Sequence, residues 1–190
     1  MPRSLFADDV RKPDAMFDIQ PQNPERYRRQ TRRSTVIIAL IFLALAMALS
    51  TAAVSLFGEP DGDNLRFNVG GVFIAVLLMV ALMRSVLWEQ EWMASAVYGW
   101  QLKRSLMSVT NVMHHVTEAV EKEDPSAMKL LRFYHLGLSQ MHELDGNSSD
   151  HGQLIREMDL HKTKMEALGL DPDQTRLNPA WIDAVKQSAS

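Results

Sequence analysis

Residues 35–57 read TVIIALIFLALAMALSTAAVSLF, 23 residues without a charge. As an α-helix rising about 1.5 Å per residue, this stretch reaches about 34 Å, enough to cross a hydrocarbon layer of about 30 Å. It holds 12 Leu, Ile, Val or Phe residues, and these alone favour insertion into a bilayer by about 4–7 kcal/mol. A helix of a soluble core is seldom apolar on every side for so long. The run therefore reads as a first transmembrane span. A cleaved signal peptide is the competing reading, but the run is longer than the usual apolar core of a signal and 34 residues precede it.

A second apolar run begins near Phe67, continues as NVGGVFIAVLLMVALM to Met83, and passes Arg84 to reach Trp88. An arginine near the end of a span can extend its guanidinium to the headgroups. Trp88, Trp92, Tyr98 and Trp100 follow, and such aromatics favour the membrane–water interface. Gly58-Glu59-Pro60-Asp61-Gly62-Asp63-Asn64 has the composition of a tight polar turn. The two spans, 35–57 and 67–88, are expected to form a transmembrane helical hairpin over residues 35–88.

Orientation follows from the basic residues. Arg26, Arg28, Arg29, Arg32 and Arg33 precede the first span, the short loop holds only Arg66, and Arg84, Lys103 and Arg104 follow the second. Basic residues concentrate on the cytoplasmic side, so both termini are expected there. Within the spans, Ala44, Ala48 and Ala52, and Gly71 and Ala75, recur at the four-residue spacing that lets helix backbones approach closely. They are the candidate helix-packing residues, for pairing within the chain or with a second copy.

Residues 1–34 contain Pro2, Pro13, Pro21 and Pro24 and no apolar period. They read as a disordered, basic N-terminal arm. The five arginines at its end are the candidate membrane-surface contact, at about 1 kcal/mol each beside anionic lipid. Nucleic acid is the rival ligand, but arginines flanking a span are the ordinary topology signal, and no nucleic-acid partner is expected.

Residues 93–190 read as a cytoplasmic all-α domain. Leu102, Leu106, Val109, Met113, Val116 and Val120 form one seam at alternating spacings of four and three. The helix carrying them is expected either to start near Ser95 or to run on from the second span through Trp88 and Trp92, a continuity that Gly99 weakens, and to end at Glu121-Lys122-Glu123. Asp124-Pro125 starts a second helix with Met128, Leu131, His135, Leu138 and His142 on its seam, stopping at Gly146. Ser148 or Ser149 caps a third, with His151, Leu154, Met158, His161, Met165 and Leu168, stopping at Gly169. Asn178-Pro179 caps a short last helix with Trp181 and Val185 on one face. The fold class is all-α: a two-span transmembrane hairpin followed by a small cytoplasmic helical bundle.

The chain has 190 residues, a net charge of −3, 46% apolar and 23% charged residues, and no cysteine. The last excludes disulfides, Cys-ligated zinc, iron–sulfur clusters and thiol nucleophiles. The charge is a sum of unlike parts, a basic arm, nearly uncharged spans and an acidic bundle. No phosphate-binding loop, dinucleotide fingerprint or hydrolase motif is present, so no catalytic residues and no cofactor are assigned. Four of the six histidines fall on helix seams. In the simplest register His142 faces His151 with Asp145 beside them, a ligand set of the right type for a metal ion. His135 and His161 approach each other further in, where paired imidazoles could respond to pH.

The strings YRRQTRRST, FGEPDGDN, VYGWQLKRSLMSVTNVMHHV, AMKLLRFYHLGLSQMHELDGNSS and EALGLDPDQTRLNPAW resemble a bacterial inner-membrane family, domain-of-unknown-function family 3087. The resemblance covers about residues 16–186 and makes residues 1–15 an extension, or the product of an upstream start codon. It implies a two-pass inner-membrane protein and transfers no catalytic residue. The leading expectation is a membrane-anchored interaction or scaffolding protein. Its partners are membrane lipids and either a second copy or a membrane or cytoplasmic protein. A metal- or pH-sensing protein using the His-lined helix pair is the alternative, and an enzyme comes third.

Overall fold

The computed structural model describes residues 17–60, 62–146 and 151–188. Among these, seven α-helices and two 3-10 turns account for the regular structure, with no strand beyond one isolated bridge between Asp18 and Arg176. The helices are α1 (Pro24–Phe57), α2 (Leu65–Ser85), α3 (Ala94–Thr110), α4 (Met113–Glu121), α5 (Pro125–Asp145), α6 (His151–Ala167) and α7 (Pro179–Ser188). The chain divides into two compact units. One runs from Arg29 to Val97, and the other combines the residues up to Arg28 with those from Tyr98 onward.

In the first unit, α1 and α2 are both long and apolar enough to cross a membrane. Val36, Leu40, Leu43 and Met47 on α1, and Val69, Phe73, Leu77 and Val80 on α2, are exposed. This is the surface that hydrocarbon would cover and water would not. The two helices meet at α2's small residues. Gly71 and Ala75 are buried, and a Cβ added at Gly71 would lie 2.5 Å from Ser50 Cα. Ser50 Oγ donates to Asn68 Oδ1 at 2.7 Å, and the rings of Phe57 and Phe67 stack at 6.3 Å. At the opposite end, Ser34 is buried and its Oγ donates to the Trp92 carbonyl at 2.6 Å. Ser95 Oγ donates to Gln30 Oε1 at 2.5 Å. Both apolar helices therefore end at the same two levels, as a hairpin requires.

Ala44, Ala48 and Ala52 are exposed on the outer side of α1, away from α2. The small residues at the close approach are Gly71 and Ala75 of α2 and Ser50 of α1. The part of α1 that turns inward carries Ile41, Leu45, Ser50 and Val54 instead.

Three further expectations change. The basic segment next to the first span is not an extended arm, because α1 begins at Pro24. Asn23 Oδ1 accepts the Arg26 N–H at 2.9 Å, an N-cap followed by proline at the first helical position. The expectation of disorder for residues 1–16 lies outside the described residues. The second span does not continue into the next helix. It breaks at Val86 and Gln90 into the turns Leu87–Glu89 and Glu91–Met93. The long seam helix also breaks, at Asn111-Val112, into α3 and α4. Ser108 Oγ and Thr110 Oγ1 donate back to the Ser105 and Leu106 carbonyls just before the break, a pattern that bends helices.

In the second unit, α5 is the central helix. Asp124 caps it through the Ala127 N–H at 2.9 Å, and Gly146, at φ 71°, ends it in the left-handed conformation. One side of α5, with Ala127, Leu130, Phe133 and Leu144, packs into a core with Leu102, Leu106 and Val109 of α3, Val116 of α4, and Val185 of α7. The other side faces α6. Residues 17–20 close the core from outside. Ile19 N–H donates to the Thr175 carbonyl and Leu177 N–H to the Phe17 carbonyl, each at 2.9 Å. Gln20, Tyr98 and Gln140 then form a closed ring. Tyr98 Oη donates to Gln140 Oε1, Gln140 Nε2 to the Gln20 carbonyl, and Gln20 N–H to Tyr98 Oη. Burial pushes the Tyr98 hydroxyl above its ordinary pKa, so it stays a donor.

The hairpin contact is directly testable, since the chain has no cysteine of its own. A Ser50→Cys, Asn68→Cys pair should cross-link readily in membranes. Adding Gly71→Leu should suppress the cross-link, because the Leu49–Ser50 backbone occupies the space. Gly70→Leu should leave it intact, because a Cβ there meets nothing within 4 Å.

Candidate functional site

The polar groups buried between α5 and α6 are Arg132, His135 and His161. Spacings of three and four along α5 put Met128, Arg132 and His135 on the side that meets α6. On α6 the corresponding stripe is Leu154, Met158, His161 and Met165. The His135 and His161 rings meet edge to face, 5.4 Å between centroids. His161 Nε2 lies 2.9 Å from the Met128 carbonyl oxygen, so Nε2–H is the donor and Nδ1 the bare nitrogen of the neutral ring. His135 Nδ1 is buried without a hydrogen-bond partner. Arg132 spans the pair of helices. Its Nη1 donates to the Met158 carbonyl at 3.1 Å and its Nε to the Pro172 carbonyl at 2.9 Å.

The electrostatics keep both imidazoles neutral. Burial, with His161 and Arg132 nearby, pulls His135 down to about 4, Glu157 opposing only weakly. Burial also lowers His161, against its bond to Met128, with Arg132 and Lys164 adding to the shift. Arg132 is lowered by burial and supported by Asp159, Glu166 and Asp173. A switch working between pH 5 and 8 needs a histidine that titrates there, and His135 does not. The arrangement is a neutral, densely packed contact.

The expected metal set lies partly outside the described residues. His142 lies on the last turn of α5 and its Nδ1 is buried without a partner. Asp145 is exposed at the end of the same helix, and the His151 side chain lies outside the described residues. Among the described residues no group of three His, Asp or Glu side chains could hold a metal ion. The His114 and His115 rings on α4 lie 3.7 Å apart between centroids, tilted by 44°. His115 and Glu118 border a shallow cleft of about 330 Å³ with Lys122, Glu123, Asp124 and Ser188. Glu123 there has φ 60°, and its Oε1 meets Lys164 Nζ at 3.4 Å.

Of the five arginines, Arg28 is engaged within the second unit. Its Nη1 donates to the Glu143 and Leu144 carbonyls at 3.2 and 3.3 Å, a cation on the negative end of α5. Arg26, Arg29, Arg32 and Arg33 are exposed on α1. The roles of Arg28, Arg132 and the Gln20–Tyr98–Gln140 ring escape a reading of the sequence. Only Arg132 left a trace, a charge at a seam position between Met128 and His135.

A family model described as a protein of unknown function, DUF3087, matches residues 17–182. The chain belongs to that family. The match agrees with the resemblance seen in the sequence, and it assigns no reaction to the DUF3087 chain. No curated protein and no solved structure matches it.

The neutral His pair gives the DUF3087 bundle an acid-sensitive stability. An unfolded histidine titrates near 6.5, and folded His135 at about 4. Above about pH 6.5 neither state holds the proton and the contribution is complete. As the pH falls toward 4, the unfolded chain takes up a proton that the fold refuses, and about 3 kcal/mol is lost. His161 adds in the same direction. Thermal unfolding of the detergent-solubilised protein should show the midpoint falling over this window. His135→Leu should match the wild type at pH 7.5 within a few degrees and decline less steeply on acidification.

Proposed function

We propose that this protein is a membrane-anchored interaction protein. The α1–α2 pair inserts in a bacterial inner membrane with both termini in the cytoplasm, and the helical bundle meets a protein partner or a second copy there. The insertion rests on two apolar helices whose outward side chains are predominantly apolar and exposed, and the orientation on the arginines that precede the apolar run within α1.

The observation that carries the interaction role is the outer face of α3. Trp100 and Met107 are each about half exposed, at 48% and 56%. Seven residues apart, they lie on one side of the helix, with Lys103 and Arg104 between them. The Arg104 guanidinium sits 5.2 Å from the Trp100 ring centroid. An exposed tryptophan beside arginine and methionine is the composition of an interface core and its basic rim. A partner segment with apolar side chains and carboxylates would fit it.

A photo-crosslinking residue in place of Met107 should give discrete adducts in cells, and Arg104→Glu should abolish them. The same probe at Thr163, exposed on α6, should give none. A smear of equal intensity from both positions would contradict an interaction face on α3. The orientation has its own check, since an alkaline-phosphatase fusion at the C-terminus should be inactive.

A further inference from the structure

The exposed side of α1 does not end where the apolar run ends. Val36, Leu40, Leu43 and Met47 form one stripe at spacings of four, three and four. Extended toward the N-terminus at the same helical period, that stripe passes through Arg33, Arg32 and Arg29. All three are exposed on the same continuous helix. Among the described residues no carboxylate lies within ion-pair distance of any of them. At three- and four-residue spacings their charges repel one another, so an anion from outside the chain is what the stripe lacks. Ser34, next in sequence, is turned inward and bonded to the Trp92 carbonyl. That bond fixes the rotation of α1 about its axis and hence the side on which the arginines stand.

We propose that Arg29, Arg32 and Arg33 form a binding site for the phosphates of anionic phospholipids at the membrane surface. The inference rests on the membrane insertion proposed above. A lipid whose acyl chains lie along Val36, Leu40 and Leu43 has its phosphate at the level of the arginines, one to two turns further along the same stripe. Guanidinium groups present paired N–H donors that match phosphate oxygens, and the net negative charge of the lipid sets it apart from a zwitterionic one. Arg28 is outside this site because its guanidinium is committed to the end of α5.

The test is native mass spectrometry of the full chain in detergent, titrated with phosphatidylglycerol or phosphatidylcholine. Wild type should retain phosphatidylglycerol preferentially. A basic residue near an anionic surface contributes about fivefold, so Arg29→Gln, Arg32→Gln and Arg33→Gln together should weaken retention roughly a hundredfold. The three Lys substitutions should recover much of it, and Arg28→Gln should leave it unchanged while lowering thermal stability. The Ser50→Cys, Asn68→Cys cross-link, introduced into each variant, confirms that the helix pair has formed. Equal retention of the two lipids by wild type, or undiminished phosphatidylglycerol binding by a cross-linked Gln variant, would overturn the site. So would stripe-dependent binding of an RNA oligonucleotide without lipid preference. Carbonate extraction keeps the premise separate: wild type released by carbonate overturns membrane insertion, whereas retained protein without lipid preference overturns only the arginine site.

Discussion

A backbone that faces hydrocarbon has no water to bond to, so it must satisfy its own N–H and C=O groups. In the inserted state proposed above, that constraint governs the Arg29–Val97 unit. α1 and α2 meet it by being helical across their apolar lengths, and the polar side chains gather toward the two ends. At one end Asn64 bonds both the N–H and the carbonyl of Glu59. At the other, Ser34 and Ser95 reach Trp92 and Gln30. Between them the contact depends on Gly71 and Ala75, small enough for the backbones to touch. Packing without a hydrophobic driving force has to come from such close approach. It also explains why the outer surface can be predominantly apolar, since nothing on that side is needed to hold the pair together.

The second unit solves a different problem. About ninety residues of small helices make a thin core, and such domains bury a modest share of their surface. Here α5 compensates by packing on two sides at once. Its apolar side meets α3, α4 and α7, and its His-bearing side meets α6. Residues 17–20 and Arg28 then bond to the same unit through backbone groups of Thr175, Leu177, Glu143 and Leu144. Phe17, Ile19 and Tyr27 also pack against the core, so the segment is held by apolar contacts and by hydrogen bonds it could not form alone.

Much of this was legible in the residues. The two apolar runs, the Asp124-Pro125 and Asn178-Pro179 starts and the Gly146 and Gly169 stops are each set by local chemistry, and local chemistry is what a sequence displays. The Asn23-Pro24 start has the same form, yet five arginines and four prolines made the segment look unstructured. What stayed hidden depends on neighbours. α5 shows one clear seam, but a central helix has two, and Ala127, Leu130, Phe133 and Gly137 make the second without strong contrast to their surroundings. The break at Asn111 interrupts a seam whose spacing is unbroken. The small residues on α1 carry the right spacing for close packing and face away from α2, because spacing fixes which residues share a side and not what that side meets.

The histidines show why residue type alone is a poor guide to a site. A ligand histidine needs a free nitrogen, a neighbouring ligand and room for an ion. His161 gives Nε2–H to the Met128 carbonyl, and His135 packs its ring against that imidazole. What the arrangement supplies is register. Sliding α6 by one turn would move His161 from the Met128 carbonyl and take the Met158 carbonyl from Arg132. Arg132 would keep only the Pro172 carbonyl, which lies beyond α6, and each buried donor left without its acceptor costs about 1–3 kcal/mol. Leu154, Met158 and Met165 make contacts without direction, whereas His161 and Arg132 bond to particular carbonyls, so the residues that first suggest chemistry are the ones that favour this alignment of α5 and α6.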